Sequence, residues 1–245
     1  MSFSVDKIFL KTDHLCVDAF VFEPKVAKDE IISIFTHGYT SHKGSILTWA
    51  QKMMELGIPC VLFDLPGHKL GGNSKVPNLD VFTNETPKLF LQAKKLFPQS
   101  CKAVVGGHSL GALMALKYSA MEDIEAVIGV GLGLDLEREN HIFESEFFKE
   151  TMTLRSQLVS NEIRPKKIFP WISSEKSSLK VENKRIHLIT GQDDLIVGKS
   201  EGTQNIINIL APKNTVTSDF PKSLPHHQPE RAGVFIKKFF QSSVI

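Results

Sequence analysis

Short apolar runs alternate along the chain with stretches whose apolar positions recur at helical spacing. Residues 31–36 (IISIFT), 60–64 (CVLFD), 102–106 (KAVVG), 125–130 (EAVIGV) and 185–190 (RIHLIT) are compact, mostly apolar segments of strand length. Between them, Ile46, Trp49, Ala50, Met53 and Met54 predict a helix over 46–56, closed by Gly57. A helix is predicted over 85–97, with Pro87 in its first turn and Leu89, Phe90, Ala93, Leu96 and Phe97 on one side. Residues 110–121 are apolar on most faces and predict an internal helix; further helices are expected over 201–210 and 231–240. Residues 7–22 read as a hairpin around Asp13-His14, and 215–220 as a last strand. Buried strands alternating with helices predict an α/β fold: a mostly parallel central sheet with helices on both faces. Residues 132–184 break the rhythm. They contain no clear strand, and are read as a helix over 139–160 followed by a polar Lys/Ser stretch around Phe169-Pro170-Trp171. This segment is expected to be a helical lid insertion over the end of the sheet, within a single domain covering residues 1–245.

Composition narrows the function classes. The chain has 245 residues, 42% hydrophobic and 23% charged, which fits a globular domain with a large core and not a disordered chain. A net charge of +2 leaves no electrostatic footprint for nucleic acid or an anionic membrane. Cys16, Cys60 and Cys101 are odd in number and far apart, so neither a disulfide framework nor a zinc site is expected. Cys60 and Cys101 sit in or beside strands and read as buried structural thiols. Residues 1–10 include Asp6 and Lys7 and lack the apolar stretch of a signal peptide; no window suits a membrane span. A reducing, cytoplasmic location and no stable membrane insertion are expected. Nothing in the composition sets an oligomeric state.

The chemistry enters with Gly107-His108-Ser109-Leu110-Gly111. This G-x-S-x-G pattern lies between a predicted strand and a predicted helix. A serine on so sharp a turn is forced into a strained conformation, and its neighbours two residues away must be small. The following helix N-terminus offers backbone N–H groups to a developing oxyanion. A bare pattern of this kind also fits a Gly-rich packing turn with a capping serine.

Three further motifs accompany it: His37-Gly38-Tyr39, Asp64-Leu65-Pro66-Gly67-His68, and Ile189-Thr190-Gly191-Gln192-Asp193-Asp194. A histidine pair, His226-His227, precedes the last helix. With these motifs in this order the chain resembles the α/β-hydrolase superfamily, serine esterase/lipase type, over nearly its whole length. The resemblance implies a Ser-His-Asp hydrolase that needs no organic cofactor and no metal. Ser109 would be the nucleophile, His226 the base and Asp194 the acid, with His227 the rival base and Asp193 or Asp135 the rival acid. The oxyanion hole would use the backbone N–H groups of Leu110 and Tyr39. Asp64 is expected to form a turn, and Lys69-Leu70 departs from the tight glycine turn usual after Pro-Gly-His.

The expected partner is a small-molecule acyl substrate, cleaved at an ester through an acyl-enzyme. A thioester, an amide or a C–C bond are alternatives on the same triad, and a non-catalytic binding protein on this fold is the remaining one. Ile142, Phe143, Phe147, Phe148 and Leu154 are candidates to line an acyl pocket or, equally, to pack the insertion onto the core. The Lys and Ser residues at 173–180 read as solvated surface.

Overall fold

The computed structural model describes residues 2–27, 30–72, 75–134 and 145–245. The amino-terminal hairpin forms as expected from β1 (Phe3–Lys11) and β2 (Cys16–Pro24), which pair antiparallel. β2 pairs antiparallel with β4 (Cys60–Phe63), and from there the sheet is parallel through β3 (Ile31–Thr36), β5 (Lys102–His108), β6 (Ala126–Val130), β7 (Arg185–Ile189) and β8 (Thr215–Asp219). Every residue of β3, β4 and β6 is buried, which is why these strands read as mostly apolar runs without polar alternation. β1 and β8 form the edges and are largely polar or exposed.

Side chains of β3 alternate between two cores. Ile32 and Ile34 enter one with Leu89 and Phe90 of α2 (Leu79–Lys94), Leu113 and Leu116 of α3 (Leu110–Ser119), and Ile206 of α6 (Lys199–Leu210). Ile31 and Phe35 enter the other with Trp49 and Met53 of α1 (Leu47–Leu56) and Ile236 and Phe240 of α7 (Gly233–Ser243). Helices therefore cover both faces. Cys60 and Cys101 are buried, and burial pushes the Cys60 thiol up to about 12 against the opposing effect of its bond to Ser33.

Two elements differ from the sequence reading. α2 begins at Leu79, because the Asn78 side chain accepts the Val81 N–H and caps the helix there. Pro87 consequently lies in the helix interior. It lacks the N–H of an ordinary turn, a cost offset by burial of Phe82, Leu89 and Phe90. The insertion holds two described helices, α4 (Glu146–Arg155) and α5 (Pro165–Ser177), and the second runs through the stretch read as polar and irregular. Part of the helix expected over 139–160 lies outside the described residues. The insertion is tied to the loop after β4 by an antiparallel bridge between His68 and Val159 and by the Ser160 N–H bonding the Gly67 carbonyl.

Because β3 to β8 run parallel, their carboxyl ends share one edge, where ligands bind in open α/β sheets. The segments after β3, β5, β6 and β7 bring Tyr39, Ser109, Gly131 and Asp194 to that edge. Among the described residues no helix is long and apolar enough to cross a membrane.

Candidate active site

Ser109 joins β5 to α3 at φ 51° and ψ −110°, a strained conformation for a residue with a side chain. Its N–H bonds the Val130 carbonyl at 2.8 Å, and its side chain makes no helix-capping bond. The capping alternative therefore has no counterpart. The flanking glycines are required by close approach. A Cβ on Gly107 would sit 2.5 Å from the Gly111 carbonyl carbon, and one on Gly111 would sit 2.5 Å from the His37 carbonyl oxygen. The start of α3 thus lies directly against the end of β3.

His226 Nδ1 lies 2.8 Å from Asp194 Oδ2. An ionised carboxylate only accepts, so this contact places the ring proton on Nδ1 and leaves the Nε2 lone pair free. Asp194 is buried, and its other oxygen accepts the Ile196 N–H at 3.1 Å. The His226 ring packs on that of His108, with centroids 4.5 Å apart. Gly131, at φ 60°, leaves room for both: a Cβ there would be 3.1 Å from His226 Nδ1 and 3.2 Å from His108 Nε2. Burial, reinforced by the neighbouring His226, holds the His108 pKa well below its usual value. Asp193 is occupied elsewhere. It accepts the Leu224 N–H at 2.8 Å and the Ser223 hydroxyl at 3.0 Å, fastening the segment that leads to His226. His227 faces the same cavity and contacts Gln228. Asp135 lies outside the described residues.

The segment after β3 is held by its own histidine. His37 Nδ1 bonds the Gly38 carbonyl at 2.8 Å and Nε2 accepts the Leu65 N–H at 2.9 Å, so the ring is a neutral Nδ1–H tautomer. Burial, with a further push from His68, lowers its pKa well below the ordinary value. Among the described residues no acceptor takes the N–H of Tyr39 or Leu110. The Tyr39 hydroxyl donates to the Ile163 carbonyl at 2.9 Å, so this side chain braces the insertion.

Asp64 was expected to hold its own turn, but its carboxylate reaches instead to the loop after β3. It accepts the Lys43 N–H at 2.7 Å and forms an ion pair with Lys43 Nζ, both side chains being almost fully buried. Lys43 also sits 4.7 Å from the centroid of the Phe20 ring. Burial raises the Asp64 pKa, and its bonds to Lys43 pull the other way. The pair ties the loop after β3 to the loop after β4. Lys43→Met should cost about 3–5 kcal/mol in urea unfolding, because it strands a buried carboxylate. Lys43→Met with Asp64→Leu should recover most of that loss; a double variant no more stable than the single one would contradict the assignment.

Ser109, His226, Tyr39 and Leu110 line one cavity of about 920 Å³. The sequence profile of the serine aminopeptidase S33 family matches residues 27–207. The chain belongs to this family of α/β hydrolases. The fold is also that of a Pyrococcus furiosus esterase (TM-score 0.69, 18% identity, covering 98% of this chain and 91% of that one). It is similar to a thermostable carboxyl esterase from Bacillus coagulans (TM-score 0.70, 14% identity, covering 100% of both chains). It is likewise similar to the thioesterase domain from the curacin biosynthetic pathway (TM-score 0.67, 14% identity, covering 98% of this chain and 100% of that one). No curated protein sequence matches the chain.

In this α/β hydrolase the insertion supplies much of the cavity wall. α4 contributes Phe147, Phe148, Thr151, Met152 and Arg155, and α5 contributes Phe169, Ile172, Ser173 and Lys176. The second set has i, i+3, i+4, i+7 spacing, the signature of a single helical face. Of the residues read as solvated surface at 173–180, Ser173 is exposed as expected yet also faces the cavity, and Lys176 is half-buried against it. Phe147 and Phe148 line the cavity, Phe147 while 74% exposed, and Leu154, 73% exposed, is absent from its wall; neither Phe147 nor Leu154 packs the segment onto the core. Ile142 and Phe143 lie outside the described residues. Arg155 and Lys176 were missed altogether, although the face on α5 was present in the spacing.

Proposed function

We propose that this α/β hydrolase cleaves carboxylic esters through Ser109, His226 and Asp194. The observation that carries this reading is Ser109, strained on its turn and without a capping bond, at a cavity that also holds a histidine oriented by a buried aspartate. Ser109 Oγ attacks the carbonyl carbon while its proton passes to His226 Nε2, and Asp194 stabilises the imidazolium. The Tyr39 and Leu110 N–H groups hold the oxyanion. Collapse breaks the ester bond, and the alcohol leaves with the proton from His226. Water, deprotonated by His226, then attacks the acyl-enzyme and releases the acid. The insertion with α4 and α5 acts as a lid whose inner face meets the acyl substrate, within a single domain. Cys16, Cys60 and Cys101 are joined in no disulfide, which favours a cytoplasmic location.

The fold likeness to the curacin thioesterase domain favours thioesters as the second reading. An aminopeptidase would have to pair a substrate ammonium with a carboxylate. Among the described residues, Asp193, the acid on this cavity's wall, and Asp194, behind His226, are already engaged. A fluorophosphonate probe should label the folded protein at Ser109, as read by peptide mass spectrometry. An unlabelled Ser109 would favour a binding protein on this fold.

A further inference from the structure

Lys176 brings to the cavity wall a positive charge that the described residues leave without an ion-pair partner. It ends the inner face of α5, and its Nζ donates to the Gly133 carbonyl at 2.7 Å. An ammonium has three donors, so two remain for a ligand. Its neighbour Glu175 is taken by Lys117, 2.8 Å away. Arg155, from α4, lines the same cavity and makes no hydrogen bond or ion pair among the described residues. The wall's one described carboxylate, Asp193, is occupied by Leu224 and Ser223, and Asp194, behind His226, by that ring and the Ile196 N–H. The other titratable groups on the wall are Tyr39, whose hydroxyl is bonded to Ile163, and the histidines 108, 226 and 227. Burial lowers the Lys176 pKa to about 8, with the charge of Asp194 opposing that fall. A half-buried cation is worth more to an anion that reaches it than one in open solvent.

We propose that the cavity selects esters bearing a carboxylate, which Lys176 binds directly and Arg155 attracts. The cavity is otherwise largely walled by apolar side chains such as Phe148, Phe169 and Ile172, so the favoured substrate pairs an apolar stem with one negative end. The proposal rests on the esterase reading and assigns its substrate class.

Two matched pairs of esters test it and distinguish on which side of the bond the carboxylate lies. The p-nitrophenyl monoester of adipic acid is compared with p-nitrophenyl hexanoate, and 4-acetoxybenzoate with its methyl ester. In at least one pair the charged member should be preferred about 10- to 100-fold in kcat/KM, the range expected for a hydrogen-bonded charge. That ratio should collapse in Lys176→Met and be largely kept in Lys176→Arg. Equal or inverse ratios in both pairs, or a ratio untouched by Lys176→Met, overturn the proposal. A binding measurement on Ser109→Ala separates the two claims. Monomethyl adipate should bind it more tightly than methyl hexanoate, and Lys176→Met should remove the difference. If none of the four esters is turned over, the esterase reading falls, while this comparison still decides the carboxylate site. Equal binding of these two ligands, together with equal binding of 4-acetoxybenzoate and its methyl ester, overturns it.

Discussion

Ser109→Ala should lower kcat/KM for short p-nitrophenyl esters by about 10,000-fold or more, the scale seen when a serine nucleophile is removed. The folded protein should be otherwise unaffected. The Ser109 side chain makes no capping bond, and alanine keeps the backbone N–H that reaches the Val130 carbonyl at 2.8 Å. Alanine also keeps the Cβ, so the strain at φ 51° is unchanged. Parallel measurement of steady-state kinetics and thermal unfolding checks both halves. Turnover near the wild-type level would remove Ser109 from the mechanism. A loss of activity accompanied by a large drop in the unfolding midpoint would instead assign the residue a structural role.

Asp194→Asn should lower kcat by about 10,000-fold, although the side chain is nearly isosteric. The cause is the tautomer. The carboxylate accepts from Nδ1–H of His226 across 2.8 Å and so keeps the Nε2 lone pair available. An amide can donate to Nδ1 instead, which moves the ring proton to Nε2, where it cannot accept the serine proton. Asp193→Asn is the matched control. Asn retains an oxygen for the Leu224 N–H, so kcat should fall less than about tenfold and the main effect should be on stability. A larger kinetic effect from Asp193→Asn than from Asp194→Asn would reverse the proposed roles of the two neighbours.

Much of the fold could be read from local pattern. The expected bounds of β3 coincide with those observed, because its six residues are all buried, the hydroxyls of Ser33 and Thr36 being satisfied by the Pro59 and Phe63 carbonyls. The start of α2 was misplaced by six residues. Pro87 is a strong start signal, and it outweighed the quieter one from Asn78, whose side chain caps the helix. α5 was hidden by its lysines and serines. A polar helical face looks the same in sequence whether it meets solvent or a polar cavity.

The site divides in the same way. The glycines around Ser109 and the strand-to-helix turn are demanded by sterics between residues a few positions apart, so the motif carried them unaided. The contact of His226 with Asp194 and the engagement of Asp193 by Leu224 join segments about 30 positions apart, as does the packing of His226 on His108 over a longer span. Neighbouring residues cannot specify such contacts, because they depend on where the ends of β5, β6 and β7 fall in one sheet. The same holds for Lys176 and Arg155. Arg155 falls in a helix that the sequence reading predicts and Lys176 in one that it does not, and their charges acquire a cavity to face only once α4 and α5 pack beside Ser109 and His226. Local sterics and apolar spacing thus account for the elements, their order and the strained serine. Long-range packing selects which acid meets the histidine and which cations line the cavity, since electrostatic partnership is set by distance in space and not along the chain.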